Sequence, residues 1–241
     1  MSFLNFEELG MNPEESVGVA IKVIDLASRL MHVGLLYAHS SGAVRFAHLA
    51  FHHDLRNDPA PTRQGYLWSL CAWLADPVMK DNAKFIANYI EAVATHAQDV
   101  DYGLNPANVG FDASGQFYSL DPKRGLTCAT FISAVFQSVG FPIVDLTTWP
   151  LRSGDVAWRQ HVLEILSSNG FQDRAKEIAQ EVFPFRLTPA EAAAAASSAS
   201  VPLSYDATVK LSEPLLLQLF PEVSVQLPAS SPAEAPRNPE R

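Results

Sequence analysis

From residue 17 onward the chain beats in twos. VGVAIKVID (17–25) places Val17, Val19, Ile21 and Val23 at every second position. A helix would scatter these side chains around its circumference, whereas an extended strand puts them on one face. β-branched residues favour the strand as well. Asn12-Pro13 followed by Glu15 offers a competing helix start, but the period of two favours a strand. HVGLLYA (32–38) and AVRFAHLAF (43–51) are two further apolar runs, separated by HSSG. Gly42 can take positive φ there, so the pair reads as a hairpin.

The pattern then changes. Residues 54–64 are rich in Pro, Asn and Asp and read as a loop. YLWSLCAWLA (66–75) reads as a short apolar helix ending before Asp76-Pro77. DNAKFIANYIEAVATHA (81–97) reads as a helix capped by Asp81, with Phe85, Ile86, Tyr89, Ile90 and Val93 on its buried stripe. After a turn-rich stretch, GQFYSL (115–120) reads as a short strand. A helix over about 128–139 follows, with Gly140 placed as its C′ residue. Further helices are expected over 153–167, over 171–182 and over 188–196; in the last, Thr188, Pro189 and Glu191 form a capping box. Strands first and helices after make an α+β chain. The expected organisation is a core over 1–150, a helical extension over 151–227 packed on it, and a disordered tail over 228–241, PASSPAEAPRNPER.

Composition narrows the function classes. The 17 Lys and Arg residues against 26 acidic ones give a formal charge of −9, and no basic run breaks that balance. Nucleic acid and anionic membrane surfaces are thereby disfavoured as partners. No apolar stretch reaches the length of a membrane span, and the N-terminus MSFLNFEELGMNPEE has no secretory h-region. The expectation is a cytoplasmic protein without cofactor, acting on a peptide, amide or acyl substrate. Its C-terminal helices are a place for a protein partner. Two cysteines do not make a disulfide framework.

Those two cysteines differ. Cys71 lies among Trp68, Leu70, Trp73 and Leu74 and reads as a small core residue. Cys128 follows the loop Pro122–Thr127 and opens the helix CATFISAVFQSV, whose buried side carries Phe131, Ile132, Val135, Phe136 and Val139. A thiol at a helix start meets unpaired N–H groups and the positive dipole end, which favour the thiolate and can hold an oxyanion. Gly125 would permit close backbone approach there.

A thiolate needs a base. Of seven histidines, His96 and His161 fall on polar helix faces and His39 on the hairpin turn. His32 opens one apolar strand and His48 sits within the next. A three-residue loop at Ser40–Gly42 sets residues of like parity opposite one another, which brings these two within one or two residue pairs. One ring could then take the thiol proton while the other orients it. HLAFHHD, with His48 and His52 four apart, is a weak zinc pattern lacking the base of an HExxH motif.

The strand opening HVGLLY, the second histidine-bearing strand and the helix opening LTCATFI together resemble the circularly permuted papain-like hydrolases. These are the NlpC-type amidases and peptidases in which histidine precedes cysteine, with lecithin:retinol acyltransferase among their relatives. The resemblance covers roughly residues 15–145. It implies Cys128 as nucleophile, His32 as general base and His48 as the orienting group; a shifted second strand would make His52, His53 or Asp54 the third residue instead. No glutamine precedes Cys128 to supply a side-chain oxyanion donor; Asp121 and Lys123 are the polar residues nearby.

Overall fold

The computed structural model describes residues 3–5, 17–61 and 64–221. The expected disordered tail and the competing helix start at Asn12-Pro13 lie outside them.

The alternating segments pair as expected. β2 (Val17–Asp25), β3 (Leu30–Ala38) and β4 (Val44–Phe51) are consecutive antiparallel strands. The β3–β4 turn is the three-residue one: beyond the Ala38–Val44 pair the His39 amide donates to the Ala43 carbonyl, leaving Ser40–Gly42, and Gly42 sits at φ 80°. The ladder runs from there to Leu35 opposite Ala47, stopping short of the histidines. Gly34 lies where a Cβ would be 2.5 Å from the Cβ of His48 and 2.8 Å from the Ala47 carbonyl oxygen. The glycine of HVG thus makes room for the second histidine.

Two expectations fail in this sheet. Residues 54–59 form β5 (Asp54–Pro59), paired along β4 rather than looping free. As the last strand of the sheet it tolerates Pro59, Asn57 and the charged side chains that made it read as a loop. The apolar run at 66–75 begins with β6 (Leu67–Leu70) and ends in a 3₁₀ turn, Ala72–Ala75, instead of forming one helix. β6 is paired on both sides, to β2 and to β1 (Leu4–Asn5). An interior strand can be apolar throughout, which periodicity cannot tell from a buried helix. The full order is β1-β6-β2-β3-β4-β5.

Side-chain alternation gives the sheet two apolar faces. Val19, Ile21, Val33, Leu35 and Tyr37 face the main core, while Ala20, Leu36, Phe46, Tyr66 and Trp68 form a small cluster on the other side. α1 (Lys80–His96), α2 (Cys128–Ser138) and α5 (Pro189–Ala196) all join the main core. In α1, Ile86, Tyr89, Ile90 and Val93 are buried but Phe85 is 53% exposed, and Met79 rather than Asp81 is the N-cap. β7 (Val109–Phe111) and β8 (Phe117–Ser119) make a separate ribbon.

α2 packs against β3 and β4 and is anchored by Phe131, Ile132, Val135 and Phe136, each fully buried and contributing about 2 kcal/mol. Thr127 caps it: its hydroxyl accepts from the Thr130 amide, while the Thr130 hydroxyl accepts from the Thr127 amide. Gly140, at φ 82°, ends it. α3 (Ser153–Ser168) and α4 (Gln172–Gln180) pack on each other. α5 is an alanine-rich helix buried from Ala190 to Ala196 between β2, β3 and α2, with the expected capping box. Its small side chains let the backbone sit close to the sheet. α6 (Tyr205–Leu219), which the sequence reading did not separate, covers α5. No described helix is long and apolar enough to cross a membrane.

Candidate active site

One polar chain crosses three neighbouring strands. His32 Nε2 on β3 lies 2.8 Å from His48 Nδ1 on β4, and His48 Nε2 lies 3.0 Å from Asp58 Oδ2 on β5. The rings of His32 and His48 meet edge to face, with centroids 4.8 Å apart, and Phe46 stacks on His48 at 4.5 Å. Both histidines are buried; Asp58 is exposed at the sheet edge.

This chain sets the tautomers. A carboxylate only accepts, so His48 Nε2 carries the proton donated to Asp58. In neutral His48, Nδ1 is then bare and accepts from His32 Nε2–H. His32 Nδ1 is left unprotonated, the state required of a base.

Burial keeps the rings neutral. It holds His32 down at about 3, with the neighbouring His48 ring, Lys22 and Arg56 pushing the same way. Burial also lowers His48, against the opposing pull of Asp58.

Cys128 and His32 line one cavity of about 130 Å³, with Met31, Leu49, Phe51, Tyr102, Trp158 and Ile165 among its walls. Cys128 is half-buried at the first turn of α2. Backbone N–H groups of Val33, Ala129 and Cys128 itself act on its sulfur. They do not produce the expected thiolate. Burial outweighs them and pushes the thiol up to about 11. The helix terminus supplies donors, as read from the sequence, but at neutral pH both sulfur and imidazole are uncharged.

His32 is also shared with a second cavity of about 220 Å³ on the other side, lined by Lys22, His48, Arg56, Asp58, Gln64 and Tyr66. The His32 ring therefore lines both an apolar chamber that Cys128 also lines and a polar one that His48 and Asp58 line.

The other sequence candidates lie elsewhere. His52 and His53 form the β4–β5 turn and group with Asp101, and Asp54 pairs with Arg56. His48 is not part of that group, so the His48–His52 zinc pattern is not assembled; the two lie on a strand and its following turn, not on a helix. Gly125 approaches Asp101 and Gly103: a Cβ there would be 2.3 Å from the Asp101 carbonyl oxygen, so it serves loop packing. His39 pairs with Glu91, and His161 lies exposed on α3 at the rim of the Cys128 cavity. Cys71 is buried, with its thiol pushed far up by desolvation.

Asp58 is the site residue missed at the sequence level. Once 54–59 is a strand closed by the two-residue turn His52-His53, Phe46 pairs with Asp58, and Asp58 falls diagonal to His48 on the same face. A comparison with known proteins found no matching family model, no matching curated protein and no matching solved structure.

Proposed function

We propose that this chain is a cysteine-dependent hydrolase that attacks an amide or ester carbonyl through an acyl-enzyme, on a core of the permuted papain-like, NlpC-type kind. The observation that carries this reading is the His32–His48–Asp58 chain ending at a cavity that also holds the helix-start thiol.

The reaction starts from the neutral pair. As Sγ of Cys128 attacks the carbonyl carbon, His32 Nδ1 takes the thiol proton, and His48 and Asp58 stabilise the imidazolium. The amides at the start of α2 hold the oxyanion. Collapse breaks the bond to the leaving nitrogen or oxygen, which receives the proton from His32. Water then attacks the thioester, His32 accepts its proton, and the acid is released with the thiol restored. An acceptor hydroxyl or amine in place of water makes the same site an acyltransferase. Coupling deprotonation to attack is the route suited to a thiol near 11 and an imidazole near 3.

The same pKa directions favour a second reading, a papain-like binding scaffold in which Cys128 is structural. Turnover of an amide, ester and peptidoglycan-fragment panel separates the two. The hydrolase reading expects wild-type turnover and a loss of about 10⁴-fold or more in Cys128→Ala, with little change in melting temperature. The scaffold reading expects no turnover and a destabilised Cys128→Ala.

A further inference from the structure

The chamber around Cys128 has a composition of its own. Apart from the thiol, His32 and the rim residue His161, its walls are apolar or aromatic. Met31 comes from β3, Leu49 and Phe51 from β4, and Trp158, Val162 and Ile165 from α3. The α3 residues fall at i, i+4 and i+7, one stripe of that helix turned toward the thiol. Trp158 is held from behind, with the Arg186 guanidinium 4.4 Å from its ring centroid. Ile24, on the chamber wall, is 54% exposed.

We propose that this chamber is an acyl-chain pocket, and that the group transferred to Cys128 is an aliphatic acyl chain of about six carbons rather than a polar aminoacyl residue. This rests on the hydrolase reading above. Two features of the chamber select that class. A peptide-like acyl group would bring amide N–H and C=O groups into walls offering them few partners, at a cost of a lost hydrogen bond for each. An alkyl chain loses nothing there. The volume of about 130 Å³ is close to that of an apolar protein cavity of about 150 Å³ that holds benzene, a six-carbon guest. Exposed Ile24 carries the apolar wall out to the surface, where the rest of a longer chain would lie.

The test is a p-nitrophenyl ester series from acetate to dodecanoate, run beside calorimetric titration of hexanamide and acetamide into Cys128→Ala. The expected result is a kcat/KM that rises about fourfold per methylene up to about six carbons and then levels, since each buried methylene contributes about that factor. Hexanamide should bind Cys128→Ala where acetamide gives no measurable heat. Ile165→Trp, which fills the chamber, should move the optimum toward acetate. Ile24→Asp, at a position exposed enough to tolerate it, should flatten the long-chain end of the series. Turnover with a flat chain-length profile overturns the pocket and leaves the hydrolase standing. Hexanamide binding without turnover of any ester supports the pocket and overturns the hydrolase. Absence of both overturns the pocket as well.

Discussion

The protein holds two sets of two histidines and one aspartate, and they are built differently. In the first, His32, His48 and Asp58 stand in line across β3, β4 and β5, each joined to the next at 2.8 and 3.0 Å. One end is exposed carboxylate; the other opens on the chamber of Cys128. In the second, His52 and His53 are adjacent with ring centroids 3.8 Å apart, and Asp101 Oδ1 lies 3.8 Å from His52 Nδ1 and 3.1 Å from His53 Nε2. His52 Nδ1 accepts from the Tyr102 amide at 3.2 Å, and the His53 amide donates to the Val100 carbonyl. Those contacts pin the β4–β5 turn to the 100–102 segment. The same residue types therefore make a hydrogen-bonded chain across three strands in one place and a clasp between a turn and a loop in the other. What separates them is their surroundings: His32 lines the cavity that Cys128 also lines, whereas His52 and His53 are tied to the 100–102 segment.

Breaking the first set should have the larger consequences. His32→Gln removes the proposed base and is expected to lower kcat/KM by about 10³-fold or more, within the range of general-base loss and coupled-residue effects. His48→Ala should cost less, because water can enter and leave His32 in place. Asp58→Ala should lower kcat by about ten- to a hundredfold, the scale of an orienting partner, with KM nearly unchanged. Steady-state kinetics on one ester series measures all three.

Acid sharpens the comparison through stability. His32 is held near 3 in the folded protein, and burial puts His52 at about 4, against an ordinary value of 6.5. Below pH 6.5 the unfolded chain takes up protons that the folded chain refuses, so stability falls as pH falls, toward pH 4 for His52 and pH 3 for His32. Each such histidine contributes a slope of about 1.4 kcal/mol per pH unit. His32→Gln should flatten the denaturation midpoint against pH over this window. The smallest effect is expected for Asp101→Asn: loss of a partly exposed pair costs about 1 kcal/mol or less and leaves turnover within about twofold.

Much of the first set could be read from sequence, because strand period and turn length are local. The three-residue turn at Ser40–Gly42 fixes parity, and parity put His32 and His48 on one face. The capping of α2 and its apolar stripe placed Cys128 at a helix start. Asp58 escaped for a physical reason. An edge strand need satisfy hydrogen bonds on one side only, so DLRNDP can carry the charges and proline of a loop and still be β5. β6 escaped for the opposite reason: LWSL is apolar at three of its four positions and lies between two partners, so it lacks the alternation of a half-buried strand. The protonation state of Cys128 was read wrongly because helix-terminus donors are visible in sequence, whereas the depth of burial that outweighs them is a tertiary property.

The direct test of the account is peptide mapping by mass spectrometry after a hexanoyl ester is mixed with the protein and quenched in acid within one turnover. The account expects a hexanoyl thioester on Cys128, none on Cys71, and a rate of formation at least a hundredfold lower in His32→Gln. An unmodified Cys128, or equal acylation with and without the His32 ring, would contradict it.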